Sequence, residues 1–246
     1  MNTPLRQSAI VTGASRGIGQ AIAQRLAADG FAIIVNYAGN AGAANDTVGA
    51  IRAAGGTAIA VRADVSQADD VRELFAATQR EFGRVDVVVS NGGVMRTAPL
   101  ASMAPADFDQ MIAINLRGTF PLMAEAARQF EKGGRFVALS SSVIAKHTPG
   151  YGPYIASKAG VEGLVQVFAQ EMRGRDVCVN AVAPGPVATE LFLEGKSDAL
   201  IAQIVSQAPL ERIGQPGDIA DAVSFLAGPG GGWVNGQVVR VNGGFA

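Results

Sequence analysis

The sequence predicts one α/β domain spanning residues 1–246, a doubly wound sheet of seven parallel strands with helices on both faces. Three observations carry that expectation. Short β-branched runs alternate with longer helical patterns from one end to the other, the signature of a parallel sheet wrapped on both sides. A glycine-rich stretch, Thr12-Gly-Ala-Ser-Arg-Gly-Ile-Gly19, joins the first run to the first helical pattern. The 246 residues, 48% hydrophobic, suffice for one well-buried core, and no low-complexity segment divides them.

Taken in order, strands are expected at residues 8–11, 31–36, 57–62, 85–89, 135–139, 177–183 and 237–241. Each is short and apolar enough to be covered on both faces. Helices are expected to start near Gly17, Ala43, Asp69, Pro105, Pro153 and Pro216. Proline suits a first helical turn, where its missing N–H has no partner to lose, and Ser66-Gln-Ala-Asp69 has the spacing of a capping box. Residues 184–209 break the alternation: Pro184-Gly-Pro186 opens the segment, Gly195 interrupts it, and its two short apolar patches have no strand beside them. Such a connection is expected to be a substrate-binding lid.

A formal net charge of −1 gives no electrostatic reason for nucleic acid or an anionic membrane as partner. Cys178 is the single cysteine, so no internal disulfide forms, and no Cys/His cluster is present to hold a metal. No run of 18 apolar residues occurs, and the first residues lack the apolar core of a signal peptide. The expectation is a soluble, cytoplasmic protein acting on a small molecule without metal.

Gly13, Gly17 and Gly19 fall in a strand-to-helix turn, the context a dinucleotide motif requires. There glycine permits close backbone approach, and the free N–H groups and positive helix end attract a pyrophosphate, with Ser15, Arg16 and Ile18 in the same turn. This is the Rossmann arrangement. NAD-binding versions place an acid at the end of the second strand, but here the strand ends Asn36-Tyr37-Ala38. With no carboxylate to repel a 2′-phosphate, and Arg16 and the amides of Asn36 or Asn40 to meet one, NADP(H) is favoured over NAD(H). After the third strand Asp64, followed by Val65, either accepts from the adenine amino group or caps the next helix.

Tyr154 and Lys158 are four apart and share a helix face. A nearby cation lowers a phenol's pKa by about one to three units, so Tyr154 is expected to be the general acid for carbonyl reduction and the base for alcohol oxidation. Lys158 is also in position to hydrogen-bond the nicotinamide ribose. Ser141 follows the fifth strand at the sheet edge where ligands bind, and its hydroxyl suits the substrate oxygen, with Ser140 and Ser142 as competing neighbours. Asn115 interrupts the apolar pattern Met111-Ile-Ala-Ile-Asn-Leu116. It marks either a backbone irregularity that holds a water behind Lys158 or simply a buried, satisfied amide.

These residues together resemble the short-chain dehydrogenase/reductase family of the single-domain type, from about residue 6 onward. The matching segments are Thr12-Gly-x-x-x-Gly-x-Gly19, Asp64-Val65, Asn91 with Gly93, Asn115, Ser141, Tyr154-x-x-x-Lys158, Pro184-Gly185 with Thr189, and Val241-Asn-Gly-Gly244. The resemblance implies a catalytic tetrad of Asn115, Ser141, Tyr154 and Lys158, with the backbone at Val187 and the Thr189 hydroxyl on the nicotinamide carboxamide. One departure is Ser90-Asn-Gly-Gly93, where the family commonly has Asn-Asn-Ala-Gly; the extra glycine is expected to loosen that turn. The pattern is most similar to 3-oxoacyl-acyl-carrier-protein reductases, whose basic pair for the carrier protein matches Lys132 and Arg175; both also suit plain surface charges. A homotetramer is implied, with residues 105–130, residues 153–172 and the last strand at the interfaces.

Met95, His147, Tyr151, Leu191 and Phe192 are expected to line the substrate pocket. A hydrolase reading of Ser141 and His147 fails for want of a Gly-x-Ser-x-Gly elbow. Cys178 is expected in the core and Trp233 near a subunit boundary. The alternatives are a non-catalytic NADP(H)-binding regulatory or scaffold protein and, among enzymes, an NAD-dependent sugar dehydrogenase.

Overall fold

The first strand, β1 (Ser8–Val11), is buried at every residue and lies between β2 (Ala32–Tyr37) and β4 (Val87–Ser90), parallel to both. The computed structural model describes residues 7–130 and 132–246, so the N-terminal segment that bears on a signal peptide lies outside the described residues. With β3 (Thr57–Arg62), β5 (Arg135–Leu139), β6 (Cys178–Pro184) and β7 (Val238–Val241) the sheet has seven strands in the order β3-β2-β1-β4-β5-β6-β7, all pairings parallel. Strand boundaries move from the expected ones by a residue or two.

Side chains alternate between two cores, as a strand's period of two requires. Ala9, Val11, Ile33, Val35, Val87, Val89, Val137 and Leu139 pack on one side with α1 (Gly17–Ala28), α2 (Ala41–Ala53) and, farther along the chain, the helix Pro216–Ala227. Ile10, Ile34, Val88, Phe136 and Ala138 pack on the other with α3 (Ala68–Phe82) and the helices between β4 and β6. Both faces being covered explains why the strands read as continuous apolar runs.

The expected helix over residues 105–130 is in fact α4 (Pro105–Met111), a π-helical turn (Ile112–Arg117) and α5 (Thr119–Gln129). A further turn of helix, α6 (Val143–Lys146), precedes the long α7 (Gly152–Glu171). Residues 184–209 contain α8 (Glu190–Leu193) and α9 (Asp198–Val205), which are the two apolar patches that had no strand beside them, and α10 (Pro216–Ala227) follows. The capping box at Ser66 does not form: Gln67 is the N-cap of α3 and makes no side-chain cap bond. Asp64 instead accepts from the Ser66 N–H at 2.9 Å and the Asp70 carboxylate from the Asp64 N–H at 2.8 Å. A capping box does close the start of α10, between Gln215 and Asp218.

The order reverses between β1 and β4, whose following turns leave in opposite directions and open a crevice at the carboxyl edge. Asn91 bonds the two turns together, its amide donating to Thr12 O at 2.9 Å and Gly13 O at 3.2 Å. Thr12 Oγ1 accepts in return from the N–H groups of Asn91 and Gly92. The Ser90–Gly93 turn is thus held, not loosened, and an alanine Cβ at Gly92 would meet Thr12 Oγ1 at an ordinary 3.6 Å.

Candidate active site

At the crevice lies a cavity of about 570 Å³. Its cofactor end is the glycine turn: Gly13 and Gly17 have φ of 60° and 57°, the left-handed region open to glycine. A Cβ on Gly19 would fall 2.4 Å from Gly13 O, so the close packing there tolerates no side chain. No side chain caps the N-terminus of α1 and no acid stands in its first turn, which leaves its N–H groups to a diphosphate. Ser15, Ile18, Val65, Asn91 and Gly93 line the same wall. Gly185 follows β6, where a Cβ would meet Asn242 Cβ at 2.7 Å. These residues fit a dinucleotide.

At the adenosine end the expectations for Asn36 and Tyr37 change. The Asn36 amide donates to Val61 O and Ala63 O at 3.3 and 3.1 Å, so its donors are committed within the fold and are not free for a phosphate. Asn40 accepts from Ala43 N as the N-cap of α2, and Tyr37 packs against the core outside the cavity wall. Arg16 is paired with Glu190 at the start of α8, both side chains about 70% exposed, an arrangement of little strength. A second cation escaped sequence reasoning: strand pairing sets Arg62 opposite Tyr37, and its Nε donates to Ala38 O at 3.2 Å. Asp64 lines the cavity while its carboxylate shapes its own turn, so it does not cap α3.

On the opposite wall Ser141, Tyr154 and Lys158 stand together. Ser140 donates to Glu162 Oε1 at 2.6 Å and Ser142 to Ala183 O at 2.8 Å; of the three serines, Ser141 is hydrogen-bonded to Tyr154. Lys158 is buried, donates to Leu139 O at 2.7 Å, and its ammonium lies 6.0 Å from the Tyr154 ring centroid. Burial pushes Tyr154 up to about 12, against the opposing hydrogen bond from Ser141, and pushes Lys158 down to about 8. The expected lowering of the phenol by Lys158 is therefore not present in the protein alone: burial is the largest cause of the shift, and Lys158 is not among the groups acting on the phenol.

Asn115 is buried within the π turn, which Gly118 closes by donating to Ala113 O at 2.9 Å. The irregularity expected from its sequence exists, and the amide is also fully satisfied. Oδ1 accepts from Val94 N at 2.8 Å, and Nδ2 donates to Val94 O at 2.9 Å and Ser157 Oγ at 3.1 Å. Ser157, which sequence reasoning passed over, donates to Tyr154 O and so links Asn115 to the helix carrying Tyr154 and Lys158.

Met95, Tyr151, Leu191 and Phe192 line the cavity. His147 does not: it is exposed at the end of α6 with φ 49°, and Thr148 takes the place in the wall. Val143, Ile204, Gln207 and Phe245 line it too, unforeseen because long-range folding brings them in. Pro184 and Val187 stand in the wall with Thr189, whose hydroxyl accepts weakly from Phe192 N as the cap of α8. Lys132 and Arg175 are neighbours through the Gly133 N–H to Arg175 O bond, at the amino ends of β5 and β6. That is the far end of the sheet from this chain's cavity, and Arg175 Nη1 donates to Ala127 O at 2.7 Å.

Residues 13–246 match the family model described as enoyl-(acyl carrier protein) reductase. A short chain dehydrogenase from Burkholderia cenocepacia, solved in complex with NADP, superposes with a TM-score of 0.93 at 34% identity over 99% of both chains. The chain belongs to the short-chain dehydrogenase/reductase family. Among other members, it is 40% identical to an NADPH-dependent aldehyde reductase-like protein, chloroplastic, of Arabidopsis thaliana, covering 96% of this chain and 93% of that one. It is 41% identical to a 3-oxoacyl-acyl-carrier-protein reductase of Staphylococcus aureus, covering 98% of each. As a short-chain dehydrogenase/reductase it is an oxidoreductase built to bind a nicotinamide cofactor. Among the described residues no helix is long and apolar enough to cross a membrane.

Proposed function

We propose that this chain is an NADP(H)-dependent carbonyl reductase and alcohol dehydrogenase, with Asn115, Ser141, Tyr154 and Lys158 as its working set. The observation that carries it is one wall bearing Ser141, Tyr154 and Lys158 in a cavity whose other end is a glycine cradle. The glycine turn at Gly13, Gly17 and Gly19 would hold the cofactor's diphosphate, and its nicotinamide, when bound, would supply or accept the hydride. Tyr154 holds the proton on its phenol oxygen and delivers it to the carbonyl oxygen, while the Ser141 hydroxyl donates to that same oxygen and stabilises the developing alkoxide. Asn115, through Ser157 and Val94, fixes the backbone on either side. A phenol raised by burial to about 12 is protonated at neutral pH and so is in the form that donates to a carbonyl oxygen. Alcohol oxidation needs the phenolate, and its rate is expected to climb with pH.

NADP(H) over NAD(H) is supported by the missing acid at the end of β2, by Arg16 and by Arg62 at Ala38. The similar protein solved with NADP and the NADPH-dependent relative point the same way. Residues 184–209, contributing Leu191, Phe192 and Ile204 to the wall, are proposed as the substrate lid. A 3-oxoacyl thioester on acyl carrier protein is the second substrate reading, favoured by the similarity to the Staphylococcus aureus reductase.

The test is steady-state oxidation of NADPH and of NADH by the purified chain across aromatic ketones, diketones, acetoacetyl thioesters and sugars. Tyr154→Phe is expected to lower turnover by about 10²–10⁴-fold with NADPH binding retained. Turnover indifferent to that change sinks the assignment of Tyr154. Cofactor binding with no turnover across the panel turns the reading to a scaffold, and higher kcat/KM with NADH overturns the cofactor preference.

A further inference from the structure

After β7 the chain turns back over the carboxyl edge of the sheet through Asn242-Gly-Gly-Phe-Ala246. Gly243 and Gly244 have φ of 64° and 85°, and a Cβ on Gly244 would come within 2.8 Å of Pro209 Cδ. Asn242 holds the turn. Its amide donates to Ser142 Oγ at 2.9 Å and to Ala246 O at 2.8 Å, its Oδ1 accepts from Gly244 N, and its carbonyl accepts from Phe245 N. Ser142 is the neighbour of Ser141 and is itself anchored on Ala183 O. On the other side Leu210, just past the proposed lid, donates to Gly243 O at 3.2 Å.

This turn puts the Phe245 ring into the cavity wall near α6. The Lys146 ammonium lies 4.5 Å from the ring centroid, an attraction that helps hold the ring in one pose. Around it the substrate end is mostly apolar, with Val143, Tyr151, Leu191, Phe192 and Ile204, and with Thr148 and Gln207 as its polar members. The charged side chains lining the cavity are Arg16, Asp64, Lys158 and Glu190. Arg16 and Glu190 pair with each other, Asp64 belongs to the adenosine end, and Lys158 is occupied by Leu139 O. At this end the Lys146 ammonium is engaged on the Phe245 face, and an aromatic group finds three rings, those of Tyr151, Phe192 and Phe245.

We infer that Phe245 is a specificity-determining residue that contacts the larger substituent of the carbonyl substrate, and that this substituent is a bulky apolar, aryl-type group. The inference rests on the reductase reading and narrows it. Two diketones that differ in one group, 1-phenylpropane-1,2-dione and butane-2,3-dione, test it with NADPH in the full chain. The unaltered protein is expected to prefer the phenyl compound. Phe245→Ala is expected to lower kcat/KM for it about tenfold, mainly through KM, and to leave butanedione within about twofold, with Phe245→Leu intermediate. The NADPH dissociation constant and the melting temperature, read on the same variants, should stay put, since Phe245 is only partly buried. Equal losses on both ketones, or no loss on the phenyl compound, overturn the role of Phe245 while the reductase reading stands. A preference for aldoses over the phenyl ketone overturns the substrate class. No turnover of either ketone by the unaltered chain with NADPH bound overturns this inference, and the reductase reading falls with it only when the acetoacetyl thioesters and sugars are not turned over either.

Discussion

At the residue scale the two groups at the centre of the site are held away from their solution behaviour in opposite senses. Lys158, buried beneath the cavity, drops to about 8, and its charged form therefore costs the fold something at neutral pH. The unfolded chain, with a lysine near 10.5, binds more protons than the native one between those values, so this group makes stability rise with pH across that window. Lys158→Met is expected to melt higher than the unaltered chain at pH 7, by an amount worth about 3 kcal/mol at most. The gap should close by pH 10, and a gap independent of pH would show that Lys158 is not the titrating group. Tyr154, raised to about 12, acts the other way, but only above pH 10, where the unfolded phenol ionises first.

At the element scale the π-helical turn is what makes Asn115 useful. The widened turn lets a buried amide bond Val94 on both its N–H and C=O while reaching Ser157 on α7, so one side chain fixes the strand exit and the helix of Tyr154 and Lys158 together. Gly118 is required where the turn closes, since a Cβ there would sit 2.5 Å from Ile114 O. Asn115→Ala strands those buried partners and is expected to cost about 2–3 kcal/mol in urea unfolding. It should also lower kcat more than it raises KM. A variant with unchanged unfolding midpoint would show the clamp to be dispensable. Elsewhere elements departed from expectation at their ends, where capping groups come from across a turn, as Asp64 and Asp70 do before α3.

At the scale of the whole molecule, apolar side chains lie open on the faces the family resemblance assigns to subunit contacts. Phe120 on α5, Val167 on α7 and Trp233 before β7 are all more than half exposed, Trp233 almost completely at 98%. Exposed aromatic and branched residues on long helices fit burial against further copies of the chain. Light scattering is expected to give four times the chain mass. Because Trp233 is the only tryptophan, its emission should be blue-shifted in the assembly and move to the red on dilution. A monomer mass with solvent-like emission at every concentration would defeat the tetramer.

What the sequence by itself determined is whatever depends on neighbours along the chain. The strands announce themselves by composition, the dinucleotide turn by glycines between strand and helix, and the Tyr154–Lys158 pair by a spacing that any helix turns into a shared face. Even Asn115 was legible, because an amide in an apolar helical run demands a local reason. Tertiary structure decided the rest. Arg62 reaches Ala38 only through the register of β2 with β3, Phe245 reaches the cavity only because Asn242 ties the end of the chain to Ser142, and a left-handed residue at 147 turned His147 out and left Thr148 in. The acidity of Tyr154 likewise followed burial, not spacing: how much water a phenol loses is set by every element packed around it, and no interval of four residues encodes that.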